Sequence, residues 1–205
     1  MNEARPITRI QRKNRKAILD AALDVFSQHG FRGSTLDQIG KSAGLSKPNL
    51  LYYFPSKEAI HLELLCGLIE VWLAPLHHLD ADGNPVDEIV GYVLRKLEMS
   101  RDFPRESRLF ANEIIQGAPR ILDQIQGELR DLVDDKSNVI QGWIDAGELA
   151  ALDPRHLLFS IWATTQHYAD FDVQVRAILG TEPSGHMQDA GTFLEGFYRR
   201  ALTPA

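Results

Sequence analysis

Apolar residues recur at helical spacing along almost the whole chain, and sustained alternation of β-branched and polar residues is missing. Over about residues 11–29, Ile18, Ala22 and Phe26 lie four residues apart and form one apolar stripe of an amphipathic helix. Gly30 follows this stripe and is expected to end the helix. The pattern therefore predicts an all-α protein.

The next segment predicts two short helices joined by a tight turn. Thr35 and Gln38 have the spacing of a capping box at the start of the first helix, and Gly44 is expected to end it. Ser46 is placed to cap the second helix, which continues to about Phe54. Two short helices around a turn that contains glycine are typical of a helix-turn-helix unit.

Longer helices fill the remainder of the chain, where glycine and proline residues set the expected helix ends. The predicted helices cover about residues 56–73, 86–102, 104–115, 119–146, 154–179 and 187–202. We therefore expect about nine helices in two domains. The first is a helix-turn-helix domain at 1–58 that begins with a basic arm at 1–16, and the second is a helical domain at 59–205.

The formal net charge of −6 hides an uneven distribution of charge. Residues 1–60 contain ten lysines and arginines against five acidic residues, whereas the remainder contains twelve against twenty-three. A basic first domain on an acidic second domain favours a nucleic-acid partner for the first. The alternative is a solvated face that is basic without binding anything.

The composition argues against an enzyme. The single cysteine, Cys66, can form neither an internal disulfide nor a thiolate metal site by itself. The sequence lacks the paired Glu-x-x-His motifs of di-iron bundles, the nucleophile elbow and the phosphate loop. We therefore expect no catalytic residue, no metal and no cofactor. We also expect a cytoplasmic protein without a membrane partner, because no stretch approaches about 18 apolar residues and no apolar signal segment follows the N-terminus.

Residues 33–60 read GSTLDQIGKSAGLSKPNLLYYFPSKEAI and contain short motifs at fixed spacing. These motifs are Thr35, Ile39-Gly40, Ala43-Gly44-Leu45-Ser46, Tyr53-Phe54 and Ser56-Lys57-Glu58. With them the segment resembles the DNA-binding region of the TetR family of bacterial transcriptional repressors. The resemblance implies a three-helix helix-turn-helix DNA-binding domain and a helical domain for ligand binding and dimerisation. Pro48 and Leu51 depart from the usual pattern, which has a small residue and a tyrosine at these two positions.

Further stretches resemble the pyrimidine-utilisation repressors of that family. They are NLLYYFPSKEA at 49–59, WLAPL at 72–76, SRLF at 107–110 and TQHYADF at 165–171. The resemblance implies a homodimeric repressor that binds double-stranded operator DNA at an inverted repeat and is released by uracil or thymine. A TetR-type repressor that responds to a different small hydrophobic or aromatic ligand is the alternative.

The second short helix is expected to place its first turn in the major groove. Lys47 there can donate to guanine, and the amide of Asn49 can pair with adenine. The hydroxyls of Tyr52 and Tyr53 suit phosphates, which position a protein without reading sequence. Taken singly, each of these residues could instead be an ordinary helix-start or packing residue. The expected DNA-binding residues are Lys47, Asn49, Tyr52, Tyr53, Lys57, Thr35, Ser46, Pro48, Arg12 and Arg15.

A candidate effector site is expected in the second domain, where Trp162 and Gln166 share one helix face. The Gln166 amide offers one donor and one acceptor, which suit two of the three groups on a pyrimidinedione edge. Aromatic side chains would form the walls of the pocket, although an ordinary core role is the alternative for each. The expected ligand-binding residues are Gln166, Trp162, Tyr168, Phe171, Trp72, Phe110, Asn112 and Glu113.

The last two long helices are expected to form the seam of a dimer. One helix carries small residues that allow a helix of the partner protomer to approach closely, and the other carries large apolar side chains that can be buried at the interface. These residues are Ala163, Thr164, Thr165 and Ala169 in the first helix, and Phe193, Phe197 and Tyr198 in the second. The alternative is that they pack in the core of one protomer.

Overall fold

Helices account for nearly all of the computed structural model, which describes residues 8–182 and 185–204. The α-helices are α1 Arg9–Gly33, α2 Leu36–Ala43, α3 Lys47–Tyr53, α4 Lys57–His77, α5 Pro85–Asp102, α6 Pro104–Ile115, α7 Leu122–Gln124, α8 Arg130–Asp145, α9 Pro154–Asp170, α10 Asp172–Leu179 and α11 Met187–Leu202. A π-helical stretch, Ile125–Leu129, joins α7 to α8 without a break. The described residues thus form ten continuous helices without a strand, which confirms the all-α prediction.

Two predicted helix boundaries differ from the structure. The helix expected over 154–179 is interrupted at Phe171, whose φ of −113° and ψ of 24° separate α9 from α10. The helix expected from residue 119 begins only at Leu122, because the backbone of Ile121, with a φ of −126° and a ψ of 11°, is not helical.

The predicted caps of the helix-turn-helix unit are present. The Thr35 hydroxyl accepts from the backbone N–H of Gln38 at 3.2 Å, and the Gln38 side chain accepts from the N–H of Thr35 at 2.8 Å. Ser46 accepts from the N–H of Asn49 at 3.4 Å, and Gly44 takes a left-handed φ of 68° between α2 and α3. These contacts are local, so the turn is fixed by residues that lie close together in the chain.

Helix α1 begins within the segment that was predicted to be a basic arm. Residues 1–7 lie outside the described part of the chain, and Thr8 forms a capping box with Gln11 that starts α1 at Arg9. Arg12 and Arg15, which lie in the predicted arm 1–16, are therefore helical residues of α1. Gly30, with a φ of 66°, interrupts α1 where the sequence predicted its end, and one further helical turn follows.

The first domain packs α1, α2 and α3 around a small core. Ile18, Ile39 and Leu50 are completely buried, and Phe54 is 1% exposed. Leu36 and Leu45 are half-buried against this cluster. This domain meets the second one along α1 and α6, where Arg105 bonds Asp24 at 2.7 Å and Asp20 at 3.3 Å.

Helix α4 continues from the first domain into the core of the second. With a mean hydropathy of 1.6 it is long and apolar enough to cross a membrane, contrary to the expectation that no such stretch exists. Eight of its residues, from Ile60 to Leu76, are buried in the protein, which is typical of the core helix of a folded domain. Around it, α5 packs closely on α9 and α11, and Tyr198 near the C-terminal end of α11 is 1% exposed.

Candidate functional site

Helix α3 exposes the side chains of its first turn while its inner face is anchored. Leu50 is fully buried, whereas Ser46, Lys47, Pro48 and Asn49 are exposed. The Lys47 ammonium contacts the Asp37 carboxylate at 3.0 Å, and the two side chains are 48% and 69% exposed. An ion pair at such exposure contributes about 0–1 kcal/mol, so Lys47 can leave it for a stronger acceptor. The first turn of α3 therefore exposes the Lys47 ammonium and the Asn49 amide, while the buried Leu50 holds the helix in place.

The two tyrosines of α3 lie at the contact with α1. The Tyr52 ring is 72% exposed and its hydroxyl accepts from Gln11 at 3.1 Å. Tyr53 is half-buried and its hydroxyl accepts from Asn14 at 2.8 Å. The Tyr52 hydroxyl proton remains available to an external acceptor such as a phosphate, while Tyr53 links α3 to α1. Arg12 is exposed on the first turns of α1 beside this contact.

Two of the expected DNA-binding cations are already engaged inside the protein. Lys57 donates to the backbone carbonyls of Phe31 and Ser34, each at 2.7 Å, and its ammonium lies 4.2 Å from the centre of the Phe31 ring. Arg15 bonds the Glu63 carboxylate and lies 4.2 Å from the centre of the Phe54 ring. Both side chains thus brace α1 against α4. Thr35 is exposed, with its hydroxyl already occupied by the capping box.

In the second domain, the indole of Trp162 on α9 is bonded to a residue that sequence reasoning missed. Its Nε1–H donates to the hydroxyl of Tyr92 on α5 at 2.7 Å. Tyr92 is 5% exposed, and burial raises the pKa of its hydroxyl to about 12. The bond fixes the register of α5 against α9, the pair of helices in closest contact.

One turn further along α5 lies a buried lysine that sequence reasoning also missed. Lys96 is 3% exposed, and its ammonium lies 4.2 Å from the centre of the Trp72 ring on α4. Desolvation lowers the pKa of Lys96 to about 7. The sequence does carry a signal for it, because Lys96 occupies an inward position of the stripe that contains Ile89 and Val93.

Trp72 is 6% exposed, and its buried Nε1–H has no acceptor among the described residues. Its ring lies 6.4 Å from that of Phe110 and nearly parallel to it. Trp72 also borders a cavity of about 400 Å³ between α1, α4 and α6. Most of the cavity lining is apolar and includes Leu19, Leu23, Leu64, Leu68, Phe103 and Leu109, with the carboxylates of Glu63 and Glu106 at its edge.

The remaining expected ligand residues do not all meet at one place. Gln166 is half-buried, one turn beyond Trp162. Tyr168 stacks on the buried His186 ring, and Phe171 is 54% exposed at the end of α9, where it stacks on His167. Asn112 is half-buried on α6.

Glu113 belongs to a charged cluster between the two domains. Its carboxylate, 1% exposed, bonds the Arg120 guanidinium at 2.9 Å and the backbone N–H of Arg120 at 2.9 Å. That guanidinium lies 3.6 Å from the centre of the Phe31 ring, which also stacks edge-on against His61. Burial, together with the charges of Arg120 and Lys57, lowers the pKa of His61 to about 4. The cluster joins the α6–α7 connection to the end of α1.

The outer surface of α9 and α11 carries exposed aromatic side chains. Phe159, Phe193 and Phe197 are 48%, 59% and 46% exposed. Three residues expected at the dimer seam are instead buried inside the protomer, because Thr165, Ala169 and Tyr198 are at most 1% exposed. Ala163, Phe193 and Phe197 remain exposed and available to a partner.

Comparison of the chain with protein-family models identifies two matches. Residues 18–64 match the model described as bacterial regulatory proteins, tetR family, and residues 65–205 match the YcdC-like protein, C-terminal region. The HTH-type transcriptional regulator RutR of Escherichia coli is 54% identical over 166 residues, which cover 81% of this chain and 78% of that protein.

Solved structures with the same fold share less sequence. A bacterial regulatory protein in the tetR family from Rhodococcus superposes with a TM-score of 0.75 at 17% identity, covering 94% of this chain and 98% of that one. The ketosteroid transcriptional regulator KstR2 of Mycobacterium tuberculosis gives 0.73 at 22% identity, covering 93% and 95%. These two structures support the fold, and the family models support the assignment of the sequence to a family.

Proposed function

Because the chain belongs to the TetR family of bacterial regulatory proteins and is a homologue of RutR, we propose that it is a repressor released from its operator by a pyrimidine, uracil or thymine. At the family level it is a helix-turn-helix transcriptional regulator that binds DNA, and not an enzyme. Regulators of this family bind operator DNA, usually as dimers that respond to small molecules. A cytoplasmic location, with access to the chromosome, is part of the proposal.

The observation that carries the DNA-binding part is the exposed first turn of α3 on its buried Leu50 anchor. In the major groove, Lys47 donates to guanine O6 or N7, and Asn49 pairs with adenine. Tyr52 and Arg12 contact phosphates on either side and fix the register of the protein on the duplex. Lys57 and Arg15 act indirectly, since their charges hold α1 and α4 in place around α3.

An inverted-repeat operator requires two copies of α3 related by a twofold axis. Their separation must be about one helical turn of DNA, roughly 34–36 Å. We place the dimer interface on the exposed aromatic surface of α9 and α11 formed by Phe159, Phe193 and Phe197. Large exposed aromatic side chains are enriched in protein interfaces.

Effector binding reaches the DNA-binding domain through α4. This helix starts at Lys57, which is bonded to the end of α1, and it carries Trp72 in the core of the second domain. In this mechanism the ligand binds preferentially to a dimer in which the spacing of the two α3 helices does not fit the operator. The ligand therefore lowers the affinity for the operator, and the operator lowers the affinity for the ligand by the same factor. The free energy that couples two such sites is typically about 1–3 kcal/mol.

A second candidate is a repressor of the same type with an apolar effector. The cavity of about 400 Å³ between α1, α4 and α6 supports it, because most of its lining is apolar. An apolar ligand there would act directly on α1, which supplies Leu19 and Leu23 to the lining.

Fluorescence anisotropy with labelled DNA from upstream of the protein's own coding sequence tests the proposal. We expect tight binding that uracil or thymine reverses, whereas a fatty acid or steroid has no effect. Release by the apolar ligands alone would favour the second candidate, and a complete lack of DNA binding would refute both.

The same assay tests how Lys47 reads DNA. Lys47→Ala should weaken operator binding about tenfold, since a base contact contributes about 1–3 kcal/mol, with a much smaller loss on random DNA. The matched control is Lys136→Ala on α8, which removes one cation from the second domain and should change neither affinity. Equal losses of Lys47→Ala on both DNAs would show a phosphate contact instead.

A further inference from the structure

We propose that Gln11 on α1 is a positioning residue for DNA binding, because it directs the hydroxyl proton of Tyr52 on α3 toward a phosphate of the duplex. This inference rests on the proposed function and adds a residue that contacts no base itself. A chain of hydrogen bonds connects the two helices. The backbone N–H of Thr8 donates to the side-chain oxygen of Gln11 at 2.9 Å, and the side-chain nitrogen of Gln11 donates to the Tyr52 hydroxyl at 3.1 Å.

The start of α1 fixes the orientation of the Gln11 amide. Thr8 and Gln11 form a capping box, in which the Thr8 hydroxyl also accepts from the backbone N–H of Gln11 at 3.2 Å. Because the Thr8 N–H engages the side-chain oxygen of Gln11, the NH₂ group is the end of the amide that faces Tyr52. The Tyr52 hydroxyl therefore accepts from the protein, and its own proton is left for a group outside the protein.

The Tyr52 ring is held in place although the residue is 72% exposed. It lies edge-on to the ring of Tyr53, with the two ring centres 5.1 Å apart. Tyr53 is bonded to α1 twice, since its hydroxyl accepts from Asn14 at 2.8 Å and its backbone carbonyl accepts from Arg15 at 3.2 Å. The turn of α3 that carries both tyrosines is thus tied to α1, and the Tyr52 hydroxyl is preorganised for binding.

The position of this hydroxyl fits a phosphate better than a base. Tyr52 lies three residues after Asn49, so the two side chains share one side of α3. The first turn of the recognition helix reaches the base edges, so a residue one turn later lies nearer to the sugar–phosphate backbone. A hydroxyl that accepts from an amide is also a stronger donor, because the two hydrogen bonds polarise each other. Phosphate oxygens are acceptors for such a donor and carry no sequence information.

Fluorescence anisotropy of the full-length protein with operator and random DNA tests the assignment through a double-mutant cycle. Tyr52→Phe removes the hydroxyl and should weaken binding about fivefold per protomer on both DNAs. Gln11→Glu keeps the capping box, because glutamate also fills this position, but it replaces the donor that faces Tyr52 by an acceptor that takes the hydroxyl proton. Its loss should be about fivefold larger per protomer in the wild-type background than in the Tyr52→Phe background, since the added charge acts equally in both and cancels.

A salt series and a matched control accompany the cycle. The hydroxyl carries no charge, so Tyr52→Phe should leave the slope of log affinity against log salt concentration unchanged. A changed slope would mean that the variant displaces cations from phosphates, and it would overturn the assignment of the loss to the hydroxyl. The control Gln141→Glu makes the same change on α8, where the exposed Gln141 amide bonds Asp145 at 2.8 Å, and it should bind both DNAs as the wild type does.

Three results would overturn the assignment while the proposed function stands. Equal losses for Gln11→Glu in the two backgrounds would mean that Gln11 acts only on the start of α1. Wild-type affinity of Tyr52→Phe would mean that the hydroxyl contacts no phosphate, and a loss confined to the operator would mean that it contacts a base. Failure of the wild type to bind either DNA would overturn the proposed function together with the assignment.

Discussion

The charged cluster between the two domains makes a quantitative prediction for Arg120→Met. The substitution keeps the aliphatic stem of Arg120 and removes the guanidinium that lies 2.9 Å from the Glu113 carboxylate and 3.6 Å from the centre of the Phe31 ring. The Glu113 side chain is 1% exposed, so its charge loses its ion-pair partner in the protein interior. We expect the free energy of unfolding to fall.

The expected loss follows from these contacts. Removing one partner of a buried ion pair costs about 3–5 kcal/mol, and the lower end applies because the Arg120 side chain is 23% exposed. The lost contact with Phe31 adds about 0.5–1 kcal/mol. A total of about 3–4 kcal/mol corresponds to a melting temperature lower by roughly 6–16 °C in a chain of this length.

Urea and thermal unfolding at one protein concentration measure this loss, because dissociation of the proposed dimer would make both transitions depend on concentration. The double variant Glu113→Gln/Arg120→Met removes the stranded charge and should regain about 2 kcal/mol. Arg95→Met is the matched control, since it breaks an ion pair with Glu98 whose side chains are 59% and 49% exposed. Its loss should stay below about 1 kcal/mol.

Two results would refute this reasoning. A loss below about 1 kcal/mol in Arg120→Met would mean that the Glu113 carboxylate reaches water or another cation when Arg120 is absent. A double variant no more stable than Arg120→Met would mean that the stranded charge is not the cause of the loss. In either case Glu113 and Arg120 would not hold the α6–α7 connection to the end of α1.

Further predictions concern pH and assembly. The pKa of His61 is about 4 in the folded chain and near 6.5 in the unfolded chain. As the pH falls from 6.5 to 4, only the unfolded chain binds this proton. The free energy of unfolding therefore decreases over this range, by up to about 3 kcal/mol. His61→Phe, between the Phe26 and Phe31 rings, should lose less stability in urea unfolding between pH 7 and pH 4.5; an equal loss would contradict the assigned pKa. Phe193→Ser should weaken the dimer in sedimentation equilibrium by about 3 kcal/mol, counted over both protomers, whereas Ile115→Ser on α6 should not. Equal dimerisation of both variants would move the interface elsewhere.

The proposed coupling between effector and operator requires rigid connections between the two domains, and the structure contains two such connections. One is α4, which carries Trp72 in the second domain and Lys57 beside the end of α1. The other is the contact of Arg120 with Phe31. Both connections end at the same turn of α1, so in the proposed mechanism a change at the effector site would reach the DNA-binding domain at that turn.

The local architecture of this protein was determined by the sequence alone. The capping box of Thr35 and Gln38, the Ser46 cap and the left-handed Gly44 were all predicted, because each depends on atoms a few residues apart. The apolar stripe of α1 was likewise predicted from helical periodicity, and Ile18, Ala22 and Phe26 are fully buried. These local signals suffice for the helix-turn-helix unit and for the family.

Only the tertiary structure decided whether a given charged or small residue lies on the surface or is buried in the protein. Lys57 and Arg15 look like DNA-binding cations in the sequence but are bonded within the protein, and Lys96 looks like a surface lysine but is buried against Trp72. Thr165 lies in the protomer core rather than at a dimer seam. The direction in which a side chain points depends on helices that are distant in the chain, and local periodicity carries no information about how those helices pack.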